Sequence, residues 1–185
     1  MNKKGFLILL VLLATVMSSP ASEDNPIRIT EKSAFTYAYM SFSGPFTTMP
    51  QKIMAFMGEF FKQGLQPAGA MISVYHNSPA TVEESELKWD IGFPVSSDIR
   101  VKPPLNVTVY TKKTVLEYIH RGSYDLLPAA YQKLTDYVEA KKLKIILPTY
   151  EFYLNSPQQV KTEELKTRIE IPIIKNESPE TGSFH

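Results

Sequence analysis

The sequence contains no cysteine and no block of like charge, and each absence excludes a class of protein. Without cysteine there is no disulfide, thiolate metal site, cysteine nucleophile or lipoprotein anchor. The 20 basic and 19 acidic residues give a formal net charge of +1, so a basic nucleic-acid-binding surface is not indicated. A Gly-x-Ser-x-Gly nucleophile elbow, a glycine-rich phosphate loop and a zinc motif are also missing. We expect no nucleic-acid partner and no cofactor.

Histidine is scarce, which bears on metal binding. The three histidines are His76, His120 and His185, and no two of them have the spacing of helical metal ligands. We therefore predict no metal site.

The N-terminal segment has the pattern of a secretory signal peptide. Lys3 and Lys4 precede an apolar run over residues 5–16, and small residues follow it up to Ala21. An uncleaved anchor is the alternative, but the run is shorter than the ~20 residues that span a bilayer. We predict a signal peptide over residues 1–21, a flexible lead over 22–26 and a disordered tail over 176–185. The mature protein would be exported, periplasmic or secreted, without a stable membrane anchor.

The rest of the chain is an internal duplication with a constant offset of 78 residues. The shared residues fall at strand ends, helix starts and turns, where chance apolar similarity would not place them. We assign one domain to residues 27–175, with repeat 1 over 27–95, a linker over 96–104 and repeat 2 over 105–173. The clearest matches are Gly44 with Gly122, Pro50 with Pro128, Tyr75 with Tyr153, Asn77-Ser78-Pro79 with Asn155-Ser156-Pro157, and Glu86-Leu87-Lys88 with Glu164-Leu165-Lys166.

Each repeat is predicted to form a β-α-β-β module, in an α+β fold. Pro50 and Pro128 are suited to the first turn of a helix, and apolar residues recur after each proline at helical spacing. A three-stranded sheet with one helix leaves edges and one side uncovered. We therefore expect the tandem modules to associate through a pseudo-two-fold axis into one antiparallel sheet. Two helices would flank a central cleft, where ligand pockets commonly form.

One carboxylate breaks the repeat. Glu151 lies among aromatic residues in a predicted strand, whereas the equivalent position of repeat 1 holds Ser73. A charged group in a half-buried strand costs free energy unless something pairs with it. The duplicated fold therefore carries an unduplicated carboxylate, which is the strongest functional signal. The alternative is an exposed carboxylate, or a structural ion pair with Arg121, Lys144 or Arg168.

Three blocks of repeat 2, over residues 120–124, 150–157 and 163–173, resemble the GyrI-like effector-binding domain. This family supplies the ligand-sensing part of AraC-type and MerR-type multidrug regulators and also occurs alone. The resemblance implies a tandem β-α-β-β fold and an aromatic cleft that takes cationic, lipophilic ligands. By motif position, Glu151 is the glutamate at the floor of that cleft. We expect this protein to depart from the regulators in two ways, by carrying an export signal and by lacking a DNA-binding domain.

Aromatic residues are the candidate walls of the cleft. Trp89 could stack on a flat or cationic ligand, although ordinary core packing is an equal alternative. Each tyrosine alone is also more often a core residue than a ligand contact. The strand tyrosines that we select beside Trp89 and Glu151 are Tyr37, Tyr39, Tyr110, Tyr118 and Tyr153.

The function predicted from the sequence is capture of a hydrophobic, cationic or aromatic small molecule, with Glu151 as counter-charge. Some stand-alone relatives are hydrolases of strained cyclopropane-type compounds, so the alternative is an enzyme in which Glu151 is the catalytic residue. We favour binding over catalysis. Two further alternatives are a partner-binding sheet face and haem binding, since an animal haem-binding family has a similar architecture.

Overall fold

A computed structural model describes residues 26–174. The predicted signal peptide, residues 22–25 of the lead and the predicted tail lie outside the described residues, and they remain predictions. No helix within residues 26–174 is long and apolar enough to cross a bilayer.

The described chain is an α+β fold with a curled antiparallel sheet and two helices, as predicted. The helices are α1 (Met49–Lys62) and α2 (Leu127–Ala140), and a short 3-10 turn precedes each of them. The strands are β1 (Arg28–Lys32), β2 (Phe35–Ser43), β3 (Met71–Tyr75), β4 (Lys88–Pro94), β5 (Asn106–Tyr110), β6 (Lys113–Arg121), β7 (Lys144–Ile145), β8 (Thr149–Tyr153) and β9 (Lys166–Ile174).

The duplication is visible in the strand order, which is β1-β6-β9-β8-β3-β4-β2-β5, with β7 paired to the end of β9. Counted inward from the two edges of the sheet, equivalent strands of the two repeats occupy the same positions: β1 and β5, then β6 and β2, then β9 and β4, and finally β8 and β3. The pseudo-two-fold axis therefore passes between β3 and β8. These two strands pair antiparallel, and the repeat-equivalent residues Ser73 and Glu151 are direct cross-strand partners.

The leading strand of each repeat is divided into two, and the first of the two pieces is exchanged between the repeats. The single leading strand of each predicted β-α-β-β module is broken at residues 33–34 in repeat 1 and at residues 111–112 in repeat 2. The first piece, β1 or β5, then pairs with the second strand of the other repeat. Local sequence pattern specifies a strand but not its partner, so this exchange was not predictable from either repeat alone.

The two faces of the sheet have different coverings. On one face α1 packs over a cluster that includes Phe56, Phe60 and Trp89, and α2 packs over a cluster that includes Leu134 and Ile169. The opposite face carries a third cluster, formed largely by strand aromatics, which the curled sheet buries without a helix. The members of this third cluster are Tyr37, Ile72, Val74, Tyr110, Tyr150 and Phe152.

Gly92 provides a test of how tightly the curled face is packed. A Cβ atom at Gly92 would lie 2.7 Å from the backbone oxygen of Ala38 and 3.1 Å from the side chains of Tyr37 and Tyr39. We expect Gly92→Ala to lower the free energy of unfolding by about 1–3 kcal/mol, because this core cannot accept an added methyl group. Chemical denaturation would measure the change.

Gly58 is the matched control for that substitution. It lies on the exposed side of α1, and a Cβ atom there would meet nothing within 4 Å. Gly58→Ala should therefore raise the free energy of unfolding by about 0.5–1 kcal/mol through helix propensity. Equal effects of the two substitutions would contradict the packing described for Gly92.

Candidate functional site

Glu151 lies at the centre of the sheet, on the face that the helices cover. The residue is only 3% exposed, and three tyrosine hydroxyls donate hydrogen bonds to its carboxylate. Tyr75 and Tyr153 both donate to Oε2 at 3.0 Å, and Tyr131 donates to Oε1 at 2.9 Å. Within residues 26–174, no lysine or arginine forms an ion pair with this carboxylate.

The pseudo-two-fold axis explains how two of these tyrosines converge. Tyr75 and Tyr153 are repeat equivalents at the ends of β3 and β8, so they approach the axis from opposite directions. The third tyrosine has no such counterpart. Tyr131 extends from α2, and the equivalent position of α1 holds Ile53. Repeat 2 therefore supplies both the carboxylate and an additional hydroxyl to hold it.

The electrostatics of the site oppose ionisation of Glu151. Burial raises the pKa of Glu151 above its usual value, and the three tyrosine hydroxyls and the nearby His120 offset part of that shift. Burial and the Glu151 charge in turn raise the pKa values of Tyr75, Tyr131 and Tyr153 well above the ordinary tyrosine value. The hydroxyls therefore keep their protons and remain donors.

Side chains from both repeats close the site in this structure. The ring of Phe46 packs edge-on against Tyr75 at 5.3 Å, and the ring of Tyr124 packs edge-on against Tyr153 at 5.6 Å. Phe46 and Tyr124 are themselves repeat equivalents in the two 3-10 turns. The Tyr153 hydroxyl also lies 3.9 Å from the sulfur of Met49 on α1. A ligand that reaches Glu151 must displace part of this cover.

The two halves of the site differ in polarity. In repeat 1, Trp89 is fully buried beside Phe42, and its indole nitrogen donates to the Gly44 carbonyl at 3.3 Å. In repeat 2 the equivalent positions hold Thr167 and His120, which are cross-strand partners. At these two positions the half next to α1 therefore carries aromatic rings, and the half next to α2 carries polar side chains.

The structure divides the predicted site residues between the two faces of the sheet. Trp89, Tyr118 and Tyr153 lie on the helix-covered face with Glu151, and Tyr153 donates to its carboxylate. Tyr118 packs in the α2 cluster, where the Lys133 ammonium lies 5.2 Å from its ring centroid.

Tyr37, Tyr39 and Tyr110 belong to the cluster on the opposite face, so the sheet separates them from Glu151. Alternation along β8 did not reveal this division, because both faces of that strand carry aromatic residues.

The opposite face also holds Arg168, one of the three residues proposed to pair with Glu151 under the structural alternative. Arg168 lies there, with its Nε 2.9 Å from Oε1 of the buried Glu170, and its guanidinium covers the ring of Phe152 at 4.2 Å. Glu170 also accepts a hydrogen bond of 2.8 Å from Tyr110. These groups form a separate ion-pair network that leaves Glu151 without a cationic partner from this face.

The histidines in the described region are committed to other contacts. His76 Nε2 lies 2.7 Å from the Asp90 carboxylate, and His120 Nε2 donates to the Ser123 carbonyl at 3.0 Å. His185 lies outside the described residues. Among residues 26–174 no cluster of three or more potential metal ligands was found.

Sequence reasoning did not select Tyr75 or Tyr131 as contacts of Glu151. Tyr131 fits the apolar spacing of α2, which conceals its hydroxyl. The repeat comparison contained the missing signal, because the change from Ile53 to Tyr131 accompanies the change from Ser73 to Glu151.

The family model of the GyrI-like small molecule binding domain matches residues 25–174. The chain belongs to the GyrI-like family. The match spans both repeats, so the family's domain coincides with the duplicated fold. A comparison with curated proteins found no match.

Solved structures share this GyrI-like fold at low sequence identity. The C-terminal domain of EcmrR matches with a TM-score of 0.73 and 21% identity, over 82% of this chain and 98% of that domain. A hydrolase from Listeria innocua has a TM-score of 0.60 and 8% identity, covering 82% and 93% of the two chains. SAV2435 bound to tetraphenylphosphonium has a TM-score of 0.55 and 11% identity, covering 81% and 94%. Identities this low establish a common fold and no more.

The hydrogen bond from Tyr131 can be tested through the acidity of Glu151. We expect Tyr131→Phe to raise the pKa of Glu151 further, because the lost hydroxyl stabilises the ionised carboxylate. A carbon-13 NMR titration of protein labelled at the glutamate carboxyl groups would measure this pKa.

Tyr137→Phe is the control for that titration. Tyr137 lies on the same helix and packs in the α2 cluster, away from the carboxylate. In this control variant the pKa of Glu151 should be the same as in the parent protein. A Glu151 pKa that is lower or unaltered in Tyr131→Phe would contradict the donor role of Tyr131.

Proposed function

We propose that this protein is an exported GyrI-like binding protein that captures a hydrophobic cation between its two repeats, with Glu151 as the counter-charge. The observation that carries the proposal is a buried carboxylate with a raised pKa, held by three neutral hydroxyls and paired with no lysine or arginine of the described region. Family membership supports a small-molecule ligand, and the site supports its charge.

The charge argument follows from the cost of burial. An ionised carboxylate loses hydration when it is buried, and hydrogen bonds from neutral donors recover only part of the loss. A cation placed beside Glu151 would lower its pKa again and stabilise the ionised form. The desolvation cost of ionised Glu151 is thus only partly compensated in the free protein, and a cationic ligand would compensate the rest.

The apolar character of the ligand follows from the rings around the carboxylate. Phe46, Tyr75, Tyr124 and Tyr153 enclose Glu151 between the two helices. A ligand that replaces the outer rings buries apolar surface, at about 25 cal/mol per Å². Such rings also attract cations through their faces. The binding of tetraphenylphosphonium, a lipophilic cation, by SAV2435 supports a ligand of this class in the same fold.

Entry to the site would involve the two 3-10 turns. The turn over Phe46–Thr48 precedes α1 and the turn over Tyr124–Leu126 precedes α2, and each contributes one ring to the cover. Phe46 and Tyr124 are half-buried and Leu126 is 55% exposed, so these turns lie at the surface. Rotation of the two rings would open a path to Glu151 without separating strands of the sheet.

A hydrolase is the second candidate function, and one feature of the site favours it. A buried carboxyl with a raised pKa beside tyrosine hydroxyls is suited to general acid or base catalysis. The Listeria innocua hydrolase shows that the fold is compatible with an enzyme. A binding protein would release its ligand unchanged, whereas a hydrolase would convert it to product, so an assay for turnover distinguishes the two proposals.

Binding can be measured by calorimetry with tetraphenylphosphonium as the cationic probe and tetraphenylmethane-type neutral analogues for comparison. We expect Glu151→Gln to weaken binding of the cation by about 10- to 100-fold, the range of a hydrogen-bonded or paired charge, and to spare neutral compounds. Binding to the parent protein should strengthen as the pH rises through the raised pKa of Glu151, because only the ionised form attracts the cation.

The control is Glu163→Gln, which removes a carboxylate from an exposed 3-10 turn of the same repeat. This variant should bind like the parent. Equal cation affinity of Glu151→Gln and the parent would refute the counter-charge, whereas conversion of a bound compound to product would favour the hydrolase.

Export is tested separately by the N-terminus of the protein. We expect the mature chain to begin at Ser22 and to be recovered outside the cytoplasm, because residues 1–21 have the pattern of a cleaved signal peptide. Intact mass spectrometry of fractionated cells would establish both points. A full-length chain in the cytoplasm would contradict export without affecting the binding proposal.

A further inference from the structure

We infer that the polar half of the site contains a hydrogen-bonding subsite at Thr167, and that it selects protonated amines over quaternary cations. The inference rests on the proposed function and specifies its ligand class. Thr167 is fully buried, and its Oγ1 is a buried atom without a hydrogen-bond partner in the described region. Buried polar groups are nearly always satisfied, so this hydroxyl requires an explanation.

The register of the sheet places the hydroxyl beside Glu151. Thr167 on β9 is the direct cross-strand partner of Tyr153 on β8, and Tyr153 donates to the Glu151 carboxylate. Glu151 itself is opposite Ile169, two residues along β9 on the same face. Thr167 is therefore the diagonal neighbour of Glu151, within reach of one small ligand headgroup that touches both.

The neighbours of Thr167 leave its hydroxyl open. His120 is its cross-strand partner on β6, but the His120 Nε2 is directed to the Ser123 carbonyl. The Tyr153 hydroxyl is engaged with Glu151 and with Ser73 Oγ, 3.1 Å away. The group that satisfies Thr167 must therefore come from outside these side chains.

Repeat symmetry gives an independent argument that the position is specialised. The equivalent residue of repeat 1 is Trp89, whose ring fills its half of the core and whose only polar hydrogen is bonded to Gly44. A fold that needed only packing would accept a large apolar residue at both positions. Repeat 2 instead has a small hydroxyl side chain next to the carboxylate.

The two groups together define the chemistry of the ligand. Glu151 and Thr167 can both accept hydrogen bonds, and they are diagonal neighbours on the helix-covered face. A primary or secondary ammonium group carries a positive charge and at least two N–H donors, so it can bond to both oxygens at once. A quaternary ammonium or phosphonium group has the charge without the donors and can use only Glu151.

The test compares octylammonium with octyltrimethylammonium, which have the same alkyl chain and charge. We expect the parent protein to bind the primary amine more tightly. Thr167→Val, which preserves shape and removes the hydroxyl, should weaken octylammonium about tenfold and change octyltrimethylammonium by less than about twofold. Thr167→Ser, which keeps the hydroxyl, should retain the preference. Calorimetry gives all of these affinities.

Thermal unfolding tests whether a loss of octylammonium affinity in Thr167→Val could instead result from a destabilised fold. If the hydroxyl is unpartnered in the free protein, Thr167→Val should unfold at the same temperature as the parent or higher. A lower midpoint would show that the hydroxyl has a structural bond, and it would overturn the inference.

The possible failures are distinguishable. If Thr167→Val weakens both cations equally or neither of them, the subsite is refuted while the counter-charge at Glu151 stands. If neither cation binds the parent in a manner that depends on Glu151, the proposed function fails and the subsite fails with it.

Discussion

The antiparallel pairing of β3 with β8 is the constraint on which the rest of the structure depends. It joins the two repeats at the pseudo-two-fold axis, and it sets Ser73 opposite Glu151. The same register brings Tyr75 and Tyr153 to one carboxylate oxygen from opposite sides. A slip of β8 by one residue would turn Glu151 to the other face of the sheet and bring Tyr150 and Phe152 to the helix-covered face in its place. The site therefore requires a correct pairing more than any single side-chain contact.

Around this symmetric frame, the chemistry is asymmetric. Repeat 1 contributes Phe42, Ile53, Ser73 and Trp89, and repeat 2 has His120, Tyr131, Glu151 and Thr167 at the equivalent positions. At these positions repeat 1 therefore has mainly apolar side chains, whereas repeat 2 has polar ones. The opposite face of the sheet is divided in a similar way, with Gly92 in repeat 1 where repeat 2 has the buried Glu170. Duplication supplies a scaffold whose two halves can take separate roles.

The sequence predicted the features that depend on helix-start residues, turn residues or the periodicity of apolar residues. Pro50 and Pro128 marked the helix starts, and the repeated Asn-Ser-Pro turns fixed the ends of β3 and β8. The unequal pair Ser73 and Glu151 identified the central carboxylate. The sequence could not predict which face of the sheet Glu151 occupies, because Tyr150, Phe152 and Tyr153 make both sides of β8 aromatic. For the same reason Tyr37, Tyr39 and Tyr110 were grouped with Glu151 although the sheet separates them. Tyr131 was concealed by the apolar periodicity of its helix.

The location of Glu151 beside the axis bears on how such a site could arise. If two identical single-repeat chains formed the same sheet, with the same exchange of leading strands, every residue at this position would face its own copy. A glutamate there would oppose a second glutamate across the β3–β8 pair, at a Cα separation of about 4.5–5.5 Å, and the like charges would repel. Joining the repeats in one chain removes that requirement, because the two positions can then differ. A single buried charge on the axis is thus available to a fused chain and unavailable to a symmetric dimer of the same fold.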